Sequence, residues 1–382
     1  MNAKLDVGML LHAYQPPMQT ETMLEKIYRE SYEPLISALE NEPNLFFSMD
    51  IAKSLGERLS PEFRERIAVL YRAGRIELLN TFAYHFLGPL TPRQFIKRQL
   101  RQNEEFYRTN FIGLDPLPGI FPPELAFAPE MMDSFKDLHY SWCLADDEPF
   151  VKSRWSLPPQ EQAAFDWIPT SRRIGVPLRS GYRSKQIAFG KCGDPRQFAD
   201  DVINSLHSWG QSLGQNRDEG YLIIALDAET FGHHHRRYIE NMLIPFANRI
   251  AERSDEAALV PIDTIFRRFT KKPTFIPRGS WSTDDSPFPY PLWSHPHDPF
   301  HRAWNEYLEL AFAMTPLNLE GEIEHLYDTS FYSCIPWQYS MGNKNIAKWC
   351  LFNFSQIADF HSESYEGRRM KELVNEMSRL TS

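Results

Sequence analysis

The sequence predicts an α/β fold in which six or seven β/α units form a closed or nearly closed barrel, followed by a mainly helical region. Over the first two thirds of the 382 residues, short and almost continuously apolar runs alternate with longer amphipathic stretches. This alternation is typical of a parallel sheet covered by helices on both faces. After residue 270 a loop rich in proline and aromatic residues replaces it. We therefore expect a barrel over residues 1–270, and an aromatic-rich loop with a helical C-terminal region over 271–382.

The predicted strands are apolar runs bounded by turn residues. In chain order they cover 5–12, 44–50, 75–83, 119–127, 140–148, 173–180 and 221–229. The helices expected between them lie at about 20–40, 60–74, 91–107, 129–138 and 195–213. Thr91, Pro92 and Gln94 predict one helix start, because they combine a capping box with proline at the first helical position. Three further helices are expected near 302–314, 344–361 and 365–380.

Charge and cysteine usage narrow the function classes. Arginine and lysine number 41 against 50 acidic residues, which gives a net charge of −9 and argues against a nucleic-acid-binding protein. The apolar run near the N-terminus is too short for a signal peptide or a membrane span. The four cysteines show no CxxC spacing, so neither a zinc knuckle nor a disulfide framework is indicated. We expect a soluble, cytoplasmic protein with free thiols, and the oligomeric state stays open.

Acidic side chains follow two of the predicted strands. Glu124 lies between a proline pair and an apolar segment, and Asp227 and Glu229 end the most apolar strand. Useful side chains in such barrels lie where strands end, and residues two apart in a strand share a face. An ion pair, or for Asp227 a helix cap, would also explain these acids. Two carboxylates on one rim suit glycoside cleavage, with a separation of about 5–5.5 Å where configuration is retained.

Metal and nucleotide sites are weakly indicated. His233, His234 and His235 are adjacent, so a loop would point them in different directions. Neither HxxxH nor HxD, the patterns that bring zinc ligands together, occurs near them or near His12. No glycine-rich phosphate loop and no GxSxG nucleophile motif is present. We therefore expect no metal and no other cofactor.

Tryptophans are concentrated at the start of the second region. Trp281, Trp293 and Trp304 all lie within 281–304. Their rings could join the helical region to the barrel, or some of them could stack on the faces of sugar rings.

Five short motifs, in this order, resemble those of glycoside hydrolase family 57, and the resemblance runs from the N-terminus to beyond residue 300. The first is HAYQP at 12–16, similar to HxHQP with tyrosine for the second histidine, and the second is GRIE at 74–77, similar to GQIE. The third is FPPE at 121–124, and the fourth is DAETFGH at 227–233, which fits DxExFGH at every defined position. A looser fifth region contains Trp281 and Trp337. The segment around Arg179 also resembles a family segment with an active-site arginine.

The resemblance implies an incomplete (β/α)7 barrel with a helical C-terminal region, and a retaining reaction on α-linked glucans or another oligosaccharide without a metal. Glu124 would be the nucleophile and Asp227 the general acid/base. We expect His12 and Gln15 to hold hydroxyls of the reacting sugar. Glu77 and His233 would either hold the sugar-binding residues in place without touching the sugar, or contact further sugars themselves. The remaining expected substrate-binding residues are Tyr14, Arg179, Glu229, Trp281 and Trp337.

Two other functions stay open. One is a metal-dependent carbohydrate deacetylase or mannosidase-like hydrolase with His12, Asp227 and His233 as ligands. The other is a catalytically weak carbohydrate-binding barrel, which Tyr14 and Arg75 favour because they depart from the motifs. Hydrolysis, transfer and branching also stay open as reactions. The loop at 271–304 is expected to decide whether water or a second glucan receives the sugar.

Overall fold

The computed structural model describes residues 4–113, 115–155, 164–212, 218–284, 286–315 and 321–381. Its strands, numbered in chain order, are β1 Lys4–Ala13, β2 Phe47–Ile51, β3 Ile76–Leu79, β4 Gly119–Ile120, β5 Trp142–Cys143, β6 Ala145–Asp146, β7 Trp167–Ser171, β8 Ile174–Gly175, β9 Leu178–Arg179, β10 Glu219–Asp227, β11 Ala257–Leu259 and β12 Thr270–Pro273.

The helices flank and follow these strands. They are α1 Glu21–Ile27, α2 Glu33–Asn41, α3 Lys53–Gly56, α4 Pro61–Arg72, α5 Arg93–Tyr107, α6 Met131–Asp137, α7 Asp147–Trp155, α8 Gly181–Ala188, α9 Pro195–Ile203, α10 Ser205–Ser212, α11 Ile244–Glu252, α12 Ile262–Arg268, α13 Pro299–Met314, α14 Gly321–Asp328, α15 Cys334–Ser340, α16 Lys344–Phe360 and α17 Tyr365–Leu380.

Parallel pairing joins seven strand positions into a ring. β3, β2, β1, β10 and β9 are neighbours in that order, and β6 pairs with β9. β5 and β6 are separated only by Leu144 and act as one position, which pairs on its other side with β4. A parallel bridge between Asn80 and Ile120 joins β4 back to β3. The predicted incomplete (β/α)7 barrel is confirmed, with seven strand positions in place of the eight of a complete (β/α)8 barrel.

The barrel core consists of the apolar runs that predicted the strands. Every described residue of β1 except Lys4 is buried, and so is every residue of β10 between its two ends. Burying both faces of a strand removes apolar side chains from water on each side, which gives about 25 cal/mol for each Å² buried. β1 and β10 therefore form a rigid base under the side chains at their ends.

Helices α13, α16 and α17 confirm the three that were predicted beyond residue 300. The Tyr307 hydroxyl on α13 donates a hydrogen bond of 2.7 Å to the Phe354 carbonyl on α16, and the two rings stack. Trp293 and Trp304 are buried in this region, so they join its elements together. α14 and α15 were not predicted, and α15 follows directly on a residue of the candidate site.

Four local predictions were wrong. The run 140–148 is not one strand, because it splits into β5 and β6 and its last two residues begin α7. The run 119–127 is a strand only over Gly119–Ile120, because Pro122 and Pro123 lack the N–H that a ladder needs. The run 173–180 splits into β8 and β9. Thr91 does not cap α5: its hydroxyl donates to the Leu87 carbonyl, and Pro92 occupies the N-cap position.

Among the described residues, no helix combines the length and the apolar composition needed to cross a bilayer. All four cysteines are unpaired.

Candidate active site

The carboxyl ends of the central strands bring three polar side chains to one level. His12 on β1 is the register partner of Asp227 on β10 and of Asp50 on β2. Glu124 lies four residues beyond the end of β4 on the same rim. The charge of Asp227 contributes to the raised pKa of Glu124, so the two acids act on one another across the site. The structure thus brings together the two carboxylates that the strand ends indicated.

Glu124 is held rigidly. Its backbone lies in the left-handed region (φ 59°), and its carbonyl accepts a hydrogen bond of 3.2 Å from the Trp281 amide. One carboxylate oxygen accepts from the Ser333 hydroxyl at 2.8 Å, and the other accepts from the Trp281 indole N–H at 2.8 Å. Burial, together with the charge of Asp227, raises the pKa of Glu124 to about 7 against the opposing effect of these donors. A carboxylate with a donor on each oxygen has a fixed orientation.

Asp227 differs from its neighbours because its carboxyl group is free. It is half-buried, and within the described parts of the chain no hydrogen bond or ion pair holds its side chain. Glu229, two residues on, is buried and accepts hydrogen bonds from the Gln15 amide at 2.7 Å and from the Tyr32 hydroxyl. Neither a helix cap nor a salt bridge therefore explains Asp227, which is available to a ligand.

The first motif forms a stacked layer beside Glu124. His12 is bonded through Nδ1 to Asp50 at 2.7 Å and through Nε2 to His85 at 2.9 Å. Tyr14 stacks on His85 with ring centres 3.8 Å apart, and Phe121 stacks on His12 at 4.5 Å. Burial alone would favour the neutral imidazole, but the Asp50 carboxylate raises the pKa of His12 to about 9. His12 is therefore an imidazolium cation among acids.

Arg179 and the tryptophans frame the same rim. The Arg179 guanidinium forms an ion pair with Asp146, donates to the Ala225 carbonyl at 2.8 Å and lies 5.6 Å from the ring centre of Trp281. Trp337 is partly exposed and packs against a small cluster of buried residues, comprising Leu87, Ala126, Tyr290 and Trp293. Arg179 thus positions Trp281, while Trp281 binds Glu124 directly.

Several of the expected substrate-binding residues have polar atoms that protein groups already occupy. Both ring nitrogens of His12 are engaged, and the Gln15 amide donates to Tyr32 and Glu229, so their contacts do not support the expectation that they hold sugar hydroxyls.

Glu77 and His233 are engaged elsewhere. Both oxygens of Glu77 accept hydrogen bonds from the N–H groups of Ile262 and Asp263, at 2.8 and 3.0 Å, and Ser48 also donates to it. Glu77 therefore caps α12. His233 Nδ1 forms a 2.6 Å hydrogen bond with a Glu30 carboxylate oxygen, which ties the loop after β10 to the segment Tyr28–Tyr32. The structure gives both residues a supporting place, because their polar atoms are occupied by the protein.

Ser333, His85, Asp50 and Tyr32 were missed by the sequence reasoning. Asp50 ends a predicted strand, just as Asp227 does, so its position was a usable signal. His85 lies just beyond a predicted strand, with a backbone in the left-handed region (φ 60°). Ser333 and Tyr32 carry no sequence signal, because their contacts cross 209 and 197 positions of the chain.

The three residues considered as metal ligands do not converge. Both ring nitrogens of His12 are engaged by protein groups, and His233 is paired with Glu30. In the described part of the chain, no group of three or more His, Cys, Asp or Glu side chains is placed to hold a metal ion. The donor set therefore gives no support to the metal-dependent alternative.

Gly232, in the loop after β10, has no room for a side chain. Its φ is +109°, and a Cβ atom would lie 1.7 Å from the Glu30 carbonyl oxygen. We expect Gly232→Ala to lower the free energy of unfolding by at least about 3 kcal/mol, because both backbone strain and overlap result. Gly113→Ala is the matched control, since Gly113 also has a positive φ (+63°) but faces open space, and it should cost about 1 kcal/mol. Urea denaturation of both variants measures the difference, and equal losses would contradict the assignment.

Comparison with known proteins agrees with this geometry. The family model described as "Glycosyl hydrolase family 57" matches residues 8–276. An alpha-amylase of Pyrococcus horikoshii is 23% identical over 146 residues, which are 37% of this chain and 23% of that protein. A 4-alpha-glucanotransferase of Thermococcus kodakarensis is 23% identical over 146 residues, 37% of this chain and 22% of that protein. The matched segment thus spans less than a quarter of these curated relatives.

Solved structures with the same fold cover nearly the whole chain. The GH57-type branching enzyme from Pyrococcus horikoshii matches with a TM-score of 0.68 at 16% identity. The match covers 98% of this chain and 94% of that enzyme's chain. The alpha-amylase AmyC from Thermotoga maritima has a TM-score of 0.64 at 14% identity and covers 99% of each chain. Because the family model matches well over half of the chain, including the segments that carry Glu124 and Asp227, the chain belongs to glycosyl hydrolase family 57.

Proposed function

We propose that this chain is a retaining glycoside hydrolase or glucanotransferase that acts on α-linked glucans. The observation that carries the proposal is the contrast between the two acids. Glu124 is buried and fixed by a donor on each oxygen, whereas Asp227 is half-buried and unpaired within the described residues. A nucleophile needs a fixed orientation, and a general acid/base needs access to the departing and incoming oxygens.

In the first step, a Glu124 oxygen attacks the anomeric carbon, and the bond from that carbon to the glycosidic oxygen breaks. Asp227 transfers its proton to the departing oxygen, so the leaving sugar departs as a neutral alcohol. The product is a glycosyl ester on Glu124.

In the second step, a water molecule or a sugar hydroxyl attacks the same carbon. Asp227 takes its proton, and the bond from the anomeric carbon to Glu124 breaks, which restores both carboxyl groups. Water gives hydrolysis, and a second glucan gives transfer. The names of the relatives support α-glucans as substrates, since they include an alpha-amylase, a 4-alpha-glucanotransferase and a branching enzyme.

Aromatic side chains at this rim support a sugar ligand. Trp281 is partly exposed beside Glu124, and Trp337 is partly exposed beside the segment that follows Glu124. Aromatic rings stack on the apolar faces of sugars without needing a charge on the ligand. We assign Trp281 and Trp337 as stacking residues.

Product analysis tests the proposal. The protein is incubated with maltotriose to maltoheptaose, and products are read by mass spectrometry and by proton NMR of the first-formed anomer. We expect shorter or redistributed α-glucans, with the α-anomer formed first. Saccharide binding without products would favour the weak carbohydrate-binding alternative, and a first-formed β-anomer would exclude the retaining reaction.

The pH profile should carry the signature of Glu124. The nucleophile must be ionised, and burial raises its pKa to about 7. We therefore expect kcat/KM to fall about tenfold for each pH unit below this value, which is the acid limb of the profile. The measurement is kcat/KM on maltotetraose from pH 4.5 to 8.5, with circular dichroism at each pH as a folding control. A limb near pH 4.5, the value of an ordinary glutamate, would contradict the assignment.

A further inference from the structure

A continuous chain of buried hydrogen bonds runs from Asp50 to Glu124. Asp50 Oδ2 lies 2.7 Å from His12 Nδ1, and His12 Nε2 lies 2.9 Å from His85 Nε2. His85 Nδ1 lies 2.8 Å from the Ser333 hydroxyl, which lies 2.8 Å from Glu124 Oε1. All five side chains are less than a tenth exposed. They come from β1, β2, the loops after β3 and β4, and the start of α15, so the chain crosses most of the site.

The direction of each hydrogen bond follows from the chemistry of its two ends. An ionised Glu124 can only accept hydrogen bonds, so the Ser333 hydroxyl donates its single proton to Glu124. Ser333 must then accept a hydrogen bond from His85 Nδ1–H. Burial and the nearby His12 cation lower the pKa of His85 well below its usual value, so its other nitrogen is bare and accepts from His12 Nε2–H. His12 Nδ1–H then donates to Asp50. Every donor therefore meets an acceptor when His12 carries both protons.

A neutral His12 would reverse the direction of the hydrogen bonds between His12 and Ser333. Its one proton would remain on Nδ1 for Asp50, so Nε2 would accept from His85. His85 Nδ1 would then be bare and would take the Ser333 proton. Glu124 would lose one of its two donors, although no side chain had moved.

We propose that Ser333 and His85 are positioning residues through which the buried Asp50–His12 pair holds the Ser333 proton on the nucleophilic carboxylate of Glu124. A hydroxyl group rotates freely, so a single contact with Glu124 would not fix its proton. His85 fixes it by occupying the lone pair of Ser333, and Asp50 fixes His85 through His12. The inference rests on the proposed function, because it takes Glu124 as the nucleophile.

Other groups also face the two ends of the chain. Asp227 and Glu229 face His12 as further acids, and the rings of Tyr14, Phe121 and Trp281 pack around it. Glu124 faces Asp227 and the charge of His12, and His85 Nδ1 lies 3.9 Å from its Oε1. The Trp281 indole donates to its second oxygen. The Trp281 donor to Glu124 is thus not part of the series of hydrogen bonds that begins at Asp50, so a substitution of Trp281 serves as the control for the test.

The acid limb of kcat/KM on maltotetraose is the readout, because a purely structural defect would lower activity without moving that limb. Ser333→Ala removes a donor from the ionised Glu124 and should move the limb upward by about one pH unit. Ser333→Thr keeps the hydroxyl and should restore the wild-type limb. Trp281→Phe removes the other donor and should also move the limb upward.

The decisive question is whether Asp50, at the far end of the hydrogen-bond series, acts on Glu124 through Ser333. Asp50→Asn removes the carboxylate that keeps His12 charged, so it should move the limb in the same direction as Ser333→Ala. Added to Ser333→Ala, it should produce a smaller shift than it produces alone, because only the direct effect of the His12 charge on Glu124 remains. Added to Trp281→Phe, its shift should be undiminished. If Asp50→Asn does not fold by circular dichroism, His85→Phe takes its place, because phenylalanine keeps the ring that stacks on Tyr14 but cannot donate.

The outcomes separate this inference from the proposed function. An active Glu124→Gln enzyme would overturn the proposed function. An inactive Glu124→Gln enzyme, with an acid limb that Ser333→Ala leaves in place, would overturn this inference alone. Full additivity of the Asp50 or His85 substitution with Ser333→Ala would also overturn it.

Discussion

Glu124→Gln is expected to remove at least about a thousandfold of kcat on maltooligosaccharides, because the amide cannot form the glycosyl ester. The fold should persist, since glutamine has nearly the same shape. Its amide oxygen can still accept from Trp281, and Ser333 can rotate to accept from its NH₂ group. Saccharide affinity, measured by isothermal titration calorimetry, should change far less than kcat.

Glu130→Gln is the matched control for this substitution. Glu130 follows the same segment, but it is exposed and pairs with Arg278 at 2.8 Å. Its loss should change kcat no more than twofold or threefold, since exposed ion pairs contribute little. Comparable losses in the two variants would show that Glu124 acts through folding rather than through chemistry.

Asp227→Ala should show a loss that depends on the leaving group. On maltotriose the departing sugar needs a proton, so kcat/KM should fall at least about a hundredfold. On α-glucosyl fluoride the leaving fluoride needs no proton, so the loss should be much smaller. The ratio of the two losses identifies a general acid, whereas a disturbed fold would reduce both rates alike.

Asp218→Ala controls for the strand itself. Asp218 is exposed and directly precedes β10, at the end opposite Asp227. We expect wild-type rates on both substrates. An Asp227→Ala enzyme with equal losses on maltotriose and α-glucosyl fluoride would contradict the role of Asp227 as general acid.

The barrel was predictable where burial is continuous. β1 and β10 follow almost continuous apolar runs, which an amphipathic surface helix would not show. Both strands lie close to the predicted bounds. β4 was overpredicted, because the apolar run continues to residue 127 although the chain turns at Pro122 and at the left-handed Glu124. Hydrophobicity records burial, but it does not record where the backbone leaves the ladder.

The residues alone predicted site positions where a side chain is chemically unusual for its surroundings, and the motif resemblance added others, such as His12, Tyr14 and Arg179. Acids at the ends of apolar strands stand out, as Glu124, Asp227 and Glu229 did. Ser333 and His85 do not stand out, because a serine and a histidine are ordinary in loops and gain meaning only from contacts between distant segments. Glu77 was predicted from its motif either to support the site or to contact further sugars, and the structure places it as the cap of α12.

The second region contributes directly to the rim. Trp281 and Ser333 each donate to a different oxygen of Glu124, and both lie beyond residue 270. The division at residue 270 stays a prediction. Without these two donors, the carboxylate of Glu124 would lose the hydrogen bonds that orient it.

The most direct measurement is to trap the glycosyl ester and map it. The protein is incubated with a fluorinated α-glucosyl fluoride, whose ring fluorine slows release of the enzyme-bound sugar, then digested and sequenced by tandem mass spectrometry. Attachment of one fluorosugar to Glu124 is the result expected here. A sugar attached to Glu229 or another residue, or steady turnover of the reagent with no attached sugar, would contradict the claim that Glu124 attacks the anomeric carbon.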